Sequence, residues 1–302
     1  MNQISTRHLR YFDALAQHGH FGRAAEACSI SQPALSLQMK ELEEILGTPL
    51  IERGARRIRL TALGEAFALR TRDILRSIDE LAALARSADG PLSGRLRIGV
   101  IPTVAPYLLP RIIQTLAARF PRLDLHPREA VTQKLVEDLG GGKLDVAIVA
   151  LPVSEPSLVE RPLFTEDFVL VRHLRDADLP VPNPETLREM RLLLLEEGHC
   201  FREQALSFCR MTAATTRDLM EGSSLSTLVQ MVGAGVGVTL IPQMAVPMET
   251  RTAPVSVARL PDPCPTRTIG LVWRKSNPLG SEFGGLIDIV RAAQTPGADL
   301  SA

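Results

Sequence analysis

The stretch FGRAAEACSISQPALSLQMKELEEIL, residues 21–46, holds two helix-forming segments around a short polar turn. The first segment is rich in alanine, and its small side chains permit close packing between helices. In the turn, Ser31 can cap the second helix, and Pro33 is tolerated in the first turn of that helix. Apolar residues then recur at helical spacing: Leu35, Met39, Leu42 and Leu46. The pattern predicts a helix-turn-helix.

The outward face of the second helix carries side chains suited to DNA. Gln32 and Ser36 lie near its start, where a recognition helix reaches base edges in the major groove, and glutamine pairs well with adenine. We predict that the DNA-contacting residues of this helix are Gln32, Pro33, Ser36 and Lys40.

A basic hairpin wing is predicted after the helix-turn-helix. Two short apolar runs between Leu50 and Leu60 flank a turn that contains Gly54. We predict that the arginines of this turn meet phosphates or the minor groove: Arg53, Arg56, Arg57 and Arg59. The alternative is a solvated arginine-rich loop.

A long helix is predicted from Thr61 to about Arg86, since this segment lacks proline. Its apolar residues fall near heptad spacing: Phe67, Ile74, Ile78 and Leu81. A helix with so narrow an apolar stripe does not fold alone. We therefore expect it to pair with the same helix of a second copy of the chain. Residues 87–94 form a linker that ends the segment.

Strand-like and helical segments alternate after this linker. Buried strands are predicted at residues 96–100, 123–125, 146–149, 168–171, 192–195, 238–241 and 269–273. The alternation predicts a mostly parallel α/β architecture, in which ligands bind at the carboxyl ends of strands. Thr103 and Thr132 follow the first two strands, so two hydroxyls are expected near that crevice. The residues alone favour the alternative that both are helix N-caps.

The overall composition narrows the class of protein. The chain has 302 residues, enough for two or three compact units, and 34 basic against 34 acidic residues, so any basic face is local. Residues 1–7 lack the apolar core of a signal peptide, and the apolar stretch Leu228–Ile241 is short and broken by glycines. We therefore expect a cytoplasmic protein without membrane contact. Four cysteines without a CxxC pair predict neither a metal site nor a disulfide framework.

The sequence GHCFR at residues 198–202 places the Cys200 thiol between a histidine and an arginine, a setting typical of reactive cysteines. Residues 201–208 fit a short helix, whose dipole would favour a thiolate at its start. This helix would hold the Cα atoms of Cys200 and Cys209 roughly 13 Å apart, whereas a disulfide needs about 7 Å or less. Oxidation to a disulfide would therefore unwind it. The residues alone leave open that both cysteines are small buried hydrophobes.

The segment Phe21–Glu65 resembles the N-terminal winged helix-turn-helix of LysR-type transcriptional regulators. The linker helix and α/β region that this family shows come next in the chain. Ile101–Pro110, Gly141–Ala150 and Gly235–Pro247 are also similar to the family. The resemblance covers nearly the whole chain.

This resemblance implies an α/β fold class with three parts. They are a winged helix-turn-helix domain at 1–60, a linker (dimerisation) helix and hinge at 61–90, and a periplasmic-binding-protein-like regulatory domain at 91–302. Subdomain I of the regulatory domain would span 91–162 and 269–302, and subdomain II would span 163–268. The implied partners are promoter DNA, RNA polymerase and further copies of the chain, which form a dimer through the linker helix and a homotetramer.

Within that family, Glu197–Cys209 resembles the redox segment of the members that sense hydrogen peroxide. The resemblance makes Cys200 the thiol that reacts with peroxide and Cys209 the residue that resolves it into a disulfide. It implies peroxide-binding or thiolate-stabilising roles for Thr103, Thr132, His199 and Arg202. Arg202 would lower the pKa of the Cys200 thiol, while His199 either acts likewise or satisfies a backbone carbonyl.

The implied function is a DNA-binding transcriptional regulator that senses hydrogen peroxide, without enzymatic activity, cofactor or metal. A thiolate reacts with peroxide to give a sulfenic acid, which a second thiol converts into a disulfide. Glu203 stands where the family pattern leads us to expect aspartate, and Cys28 and Cys264 match no redox role. Two alternatives remain: a LysR-type regulator that binds a small organic ligand in the interdomain crevice, and a thiol peroxidase that uses Cys200.

Overall fold

The computed structural model describes residues 3–52, 58–87, 92–208 and 220–294. The chain divides into two compact units, Met1–Ala85 and Arg86–Ala302. In the described part of the chain, no helix is both long enough and apolar enough to cross a membrane.

The N-terminal helices are α1 Thr6–His18, α2 Phe21–Ala27, α3 Gln32–Leu46 and α4 Ala62–Ser87. Ser31 caps α3 by accepting a 3.3 Å hydrogen bond from the N–H of Ala34, as predicted. Gly47 ends α3 with φ at 66°, a left-handed conformation that favours glycine. Phe12 and Leu15 of α1 share a core with the predicted apolar stripe of α3. The predicted helix-turn-helix is therefore confirmed.

The wing is described at its base. Ile51 and Leu60 form an antiparallel bridge, and Glu43 Oε1 accepts hydrogen bonds from the N–H groups of Leu50 and Ile51 at 2.8 and 3.1 Å. Arg59 lies exposed beside this bridge. The other arginines of the predicted basic tip lie outside the described residues: Arg53, Arg56 and Arg57.

Helix α4 keeps apolar side chains on its solvent side. Ile74 and Leu81 are 48% and 68% exposed, whereas Ala68 and Thr71 are buried. An exposed apolar stripe of this kind agrees with pairing between two copies of α4, which stays a prediction.

Strands and helices alternate through the C-terminal unit. Its described strands are β1 Gly94–Val100, β2 Leu123–Glu129, β3 Val146–Leu151, β4 Leu158–His173, β5 Leu192–Leu195, β6 Glu221–Gly222, β7 Val238–Pro242, β8 Val255–Arg259 and β9 Thr266–Arg274. Its described helices are α5 Ala105–Arg119, α6 Thr132–Gly140, α7 Pro184–Glu189, α8 Cys200–Phe208, α9 Leu225–Gly233, α10 Val246–Glu249 and α11 Phe283–Gln294. The predicted α/β class is confirmed.

The strands form one mixed sheet in the order β2-β1-β3-β9-β4-β7-β5-β6, with β8 paired to β4. Strand β1 is parallel to β2 and β3, and β5 is parallel to β6 and β7. Strands β3 and β4 are antiparallel to β9, and β4 is also antiparallel to β7 and β8. The prediction of a mostly parallel sheet is wrong, because β4 and β9 run against their neighbours in its centre.

Two hydrophobic cores lie in the two halves of this unit. The first, which defines subdomain I, includes Ile98 of β1, Ile148 of β3 and Phe283 of α11. The second, which defines subdomain II, includes residues of β5, β7, α8 and α9. Strand β4 contributes Leu163 to the first core and Phe168 to the second. It therefore joins the two subdomains, whose exact limits stay a prediction.

Candidate functional site

Cys200 is the first residue of α8 and is half-buried. The nearby Gly198 has φ at 93°, a conformation that favours glycine. A Cβ atom at Gly198 would lie 3.8 Å from Val131 Cγ2, and Val131 directly precedes α6 of subdomain I. The turn that leads into Cys200 therefore lies against the start of α6.

The two faces of α8 contact different subdomains. Phe201, Ala205 and Leu206 are buried in the core of subdomain II, and the Phe201 ring lies 4.7 Å from the ring of Phe168. Cys200 instead packs against the core of subdomain I. Helix α8 is thus anchored in subdomain II and presents its first thiol to subdomain I.

A buried ion pair lies beside the first turn of α8. Arg267 on β9 stands opposite Glu166 on β4 in the antiparallel register, with Nη2 2.8 Å from Glu166 Oε1. The two side chains are 0% and 5% exposed. Glu166 Oε2 also accepts a 3.0 Å hydrogen bond from the N–H of Met244. The guanidinium carbon of Arg267 lies 5.5 Å from the centre of the Phe201 ring, next in the chain to Cys200.

Arg267 and Glu166 were not predicted as site residues. In the sequence, each of them is a charged residue next to the apolar run of a predicted strand. Such a position indicates a buried charge, and a buried charge needs a partner. The partners lie 101 positions apart, however, so local patterns do not identify the pair.

Thr103 is buried and is fixed by the same arginine. Arg267 Nη1 donates to Thr103 Oγ1 at 2.7 Å, and Nη2 donates to the Thr103 carbonyl oxygen at 2.9 Å. Because Oγ1 accepts from Arg267, the hydroxyl keeps its own proton for donation. The N-cap of α5 is Val104, which makes no side-chain cap bond. The alternative that Thr103 caps this helix is therefore wrong.

Thr132 caps no helix either, because it is the first residue of α6 and the N-cap is Val131. Its hydroxyl oxygen is buried, and no described residue forms a hydrogen bond with it. Leaving a buried polar group unpaired costs about 1–3 kcal/mol. A small polar molecule at this position would remove that cost. Since Val131 meets the turn at Gly198, Thr132 lies at the same junction as Cys200.

Arg202 anchors α8 to neighbouring strands of subdomain II. Its side chain is 5% exposed, and Nη1 donates to the carbonyl of Leu195 at 2.8 Å and pairs with Glu221 Oε1 at 2.6 Å. A residue two positions after Cys200 lies about 200° around the helix from it. Arg202 thus ties α8 to β5 and β6. Its predicted role of stabilising a Cys200 thiolate stays a prediction.

His199 is half-buried directly before Cys200. Burial lowers the pKa of its imidazole, while the carboxylates of Glu196 and Glu129 oppose that shift. The neutral ring is therefore favoured at neutral pH, and His199 supplies little positive charge to the thiol. Glu203 lies exposed on α8.

Two further cysteines have less reactive surroundings. Burial raises the pKa of the Cys28 thiol, and the charge of Asp13 adds to the shift. Burial, followed by the charge of Asp167, raises the pKa of Cys264. Both thiols are thus poorer in thiolate at neutral pH, which slows their reaction with oxidants. Cys209 lies outside the described residues, so its separation from Cys200 stays a prediction.

The predicted DNA-contacting side chains of α3 lie on the outside of the N-terminal unit. The exposed set is Gln32, Pro33, Ser36 and Lys40. Lys40 Nζ lies 3.7 Å from Glu44 Oε1, one turn further along the helix. Contact between this surface and DNA stays a prediction.

Two family models match the chain in succession. Residues 6–65 match the bacterial regulatory helix-turn-helix protein of the lysR family, and residues 89–295 match the LysR substrate binding domain. The chain belongs to the LysR family. As a LysR-family helix-turn-helix, α1 to α3 belong to a DNA-binding domain. The role of α3 as its recognition helix stays a prediction.

Curated LysR-family relatives are similar to nearly the whole chain. A probable hydrogen peroxide-inducible genes activator of Streptomyces viridosporus is 44% identical over 300 residues, 96% of this chain and 95% of the relative. The DNA-binding transcriptional dual regulator OxyR of Escherichia coli is 42% identical over 294 residues, with coverage of 96% and 95%.

Solved structures of LysR-family proteins have the same fold. Full-length OxyR of Pseudomonas aeruginosa, with a cysteine replaced by aspartate, gives a TM-score of 0.75 at 35% identity and covers 96% of both chains. A cysteine-to-serine form of Corynebacterium glutamicum OxyR with hydrogen peroxide bound gives 0.67 at 35% identity, covering 99% of this chain and 95% of that one. The resemblance and the fold inferred from the sequence are confirmed.

Proposed function

We propose that the chain is a transcriptional regulator that binds promoter DNA and senses hydrogen peroxide through Cys200 and Cys209. The observation that carries the proposal is the position of Cys200, which presents a half-buried thiol to the subdomain junction. Thr103 there has a proton available for donation, and the buried oxygen of Thr132 has no partner among the described residues. The peroxide responses named for the relatives support the same function.

The first chemical step is a two-electron oxidation of Cys200. The thiolate attacks one peroxide oxygen, an S–O bond forms as the O–O bond breaks, and the departing hydroxide takes up a proton to become water. Thr103 donates a hydrogen bond to the oxidant because its own oxygen accepts from Arg267. Thr132 accepts a hydrogen bond from a peroxide O–H, which satisfies its buried oxygen.

The second step forms the disulfide. The Cys209 thiolate attacks the Cys200 sulfur, an S–S bond forms, and the sulfenic oxygen leaves as water after protonation. Helix α8 runs from Cys200 to Phe208, so Cys209 directly follows its last residue. Eight helical steps place the Cα atoms of Cys200 and Phe208 roughly 12 Å apart. A disulfide therefore requires α8 to unwind, and this refolding is the change that alters DNA binding.

We further propose that the protein acts in the cytoplasm as a homo-oligomer, with a dimer through α4 and a tetramer as the complete assembly. The exposed side chains of Ile74 and Leu81 support the α4 pairing. Contact with RNA polymerase at the promoter rests on the family alone. The regulator has no enzymatic turnover in this proposal.

Peptide mapping by mass spectrometry tests the proposal on full-length protein before and after hydrogen peroxide. We expect a Cys200–Cys209 disulfide together with a changed affinity for promoter DNA. A disulfide bond through Cys28 or Cys264, or unchanged DNA affinity after oxidation, would contradict it.

Steady-state consumption of peroxide with thioredoxin as reductant separates a sensor from a thiol peroxidase, because the sensor should consume a negligible amount of peroxide.

A further inference from the structure

We propose that Leu37 of α3 contacts the C5-methyl group of a thymine in the major groove and thereby sets part of the DNA sequence preference. The inference rests on the proposed function as a DNA-binding regulator. It adds an apolar contact to a recognition surface whose predicted members carry mostly polar side chains.

Leu37 projects directly away from the core of its unit. It is 65% exposed, whereas Leu35, two positions earlier, is fully buried. Two positions turn an α-helix by about 200°, which places the two leucines on opposite faces. Pro33, four residues before Leu37, and Lys40, three residues after it, lie on the same outward face.

Charges along α3 indicate which part of this face meets DNA. Residues 32–40 contain no acidic side chain, whereas Glu41, Glu43 and Glu44 follow immediately. Phosphates repel that acidic segment, while Lys40 and the positive end of the helix dipole attract them. The N-terminal half of α3 is therefore the part that enters the groove, and Leu37 lies in its second turn.

The isobutyl side chain of Leu37 can make an apolar contact with one chemical group on the base edges. Leucine offers no hydrogen bond, and the exposed apolar group in the major groove is the thymine C5-methyl. Burying such a methyl group improves binding about fourfold. Contact with thymine thus gives this exposed leucine a stabilising partner that no polar base edge provides.

Deoxyuridine, which lacks only the C5-methyl group, provides the test. Duplexes are first selected from a random-sequence library with the full-length protein, and the best one is synthesised with single thymine-to-deoxyuridine replacements. Dissociation constants are then measured by fluorescence anisotropy at one fixed salt concentration. For the wild type we expect one replacement in each half-site to weaken binding about three- to fivefold.

Leu37→Ala should weaken binding to the thymine duplex about three- to fivefold. The dissociation constant of this variant should not change further when thymine is replaced by deoxyuridine. Leu37→Met, which keeps an apolar tip, should retain most of the thymine effect. The control Leu174→Ala removes a leucine that is 55% exposed in the other unit and should behave as the wild type. If Leu37→Ala binds as the wild type does, or keeps the full deoxyuridine effect, the inference is wrong. Failure of the wild type to select any sequence would instead overturn the proposed function.

Discussion

The phenol of Tyr107 donates a 2.6 Å hydrogen bond to Glu249 Oε1, although the two residues lie 142 positions apart. Ser226 donates to the other oxygen of the same carboxylate. Burial and the bond to Glu249 raise the pKa of Tyr107, so it stays a donor. Tyr107 is the third residue of α5, and Thr103 lies two positions before this helix begins. The bond therefore ties the start of α5 in subdomain I to α10 of subdomain II, which Ser226 joins to α9. It thereby helps to hold Thr103 in place at the subdomain junction.

Tyr107→Phe should therefore slow the oxidation of Cys200 by peroxide several-fold and destabilise the fold by about 1–3 kcal/mol, because Glu249 loses a donor while buried. Stopped-flow oxidation and thermal unfolding measure the two effects. Tyr11→Phe is the matched control, since Tyr11 is the other tyrosine of the chain. Alkylation of Cys200 by iodoacetamide should keep its wild-type rate, and a parallel loss there would point to a general disturbance of α8.

The two threonines should respond differently to replacement by valine. Thr132→Val removes an oxygen that has no partner among the described residues, so oxidation should slow while stability holds or rises. Thr103→Val removes an acceptor of the buried Arg267 and should also destabilise the protein by about 1–3 kcal/mol. Chemical denaturation beside oxidation kinetics checks both. Equal stability losses in the two variants would contradict the hydrogen-bond assignment.

Cys200→Ser should keep DNA binding and lose every peroxide-dependent change in promoter occupancy. DNA contact and sensing lie in different units, so removing the thiol leaves the first intact. Footprinting with and without peroxide measures this. Cys264→Ser is the control and should respond as the wild type, because burial raises the pKa of that thiol. Peroxide induction that persists in Cys200→Ser would eliminate the sensor role.

Cys209→Ser should leave the first oxidation intact and block disulfide formation. The sulfenic acid at Cys200 should then persist at low peroxide and proceed to sulfinic acid at high peroxide. Dimedone labelling and intact-mass measurement follow both products. In the same experiment, hydrogen exchange of residues 201–208 should stay slow in the variant and become fast in the oxidised wild type, because only the latter unwinds α8. Equal exchange in both would exclude the unwinding mechanism.

His199 should make stability depend on pH. Its pKa is lower in the folded protein than the ordinary value of 6.5, so the unfolded chain binds the proton more readily. The free energy of unfolding should therefore fall as the pH drops below about 6.5, through the folded-state pKa. His199→Asn should flatten this dependence. Urea titrations at several pH values give the comparison.

Local patterns predict the elements of this chain better than its long-range pairs. Ser31, Pro33 and the stripe of α3 locate the helix-turn-helix because caps and apolar spacing act within a few residues, and the same holds for α8. Such patterns do not predict the antiparallel centre of the sheet, because β9 enters that centre from far along the chain. For the same reason they do not identify the ion pair of Arg267 and Glu166.

The partners of Arg202 are also beyond the reach of local patterns. Nearness to Cys200 in sequence predicts a charge near the thiol, which stays a prediction, but it does not indicate which groups the guanidinium contacts. Only the positions of β5 and β6 reveal the actual partners, Leu195 and Glu221.

That anchoring has a consequence for the chemistry of resolution. The Arg202–Glu221 ion pair holds the first turn of α8 in place, and Cys209 follows Cys200 by nine positions in the sequence. Two thiols joined by so short a stretch of chain have an effective concentration of millimolar order or above for each other once that stretch unwinds. Capture of the sulfenic acid then competes with a second peroxide molecule, whose attack would give a product that is not readily reduced. In the proposed mechanism, the ion pair thus keeps the Cys200 end of α8 fixed while Cys209 reaches it, which favours reversible signalling over permanent loss of the sensor.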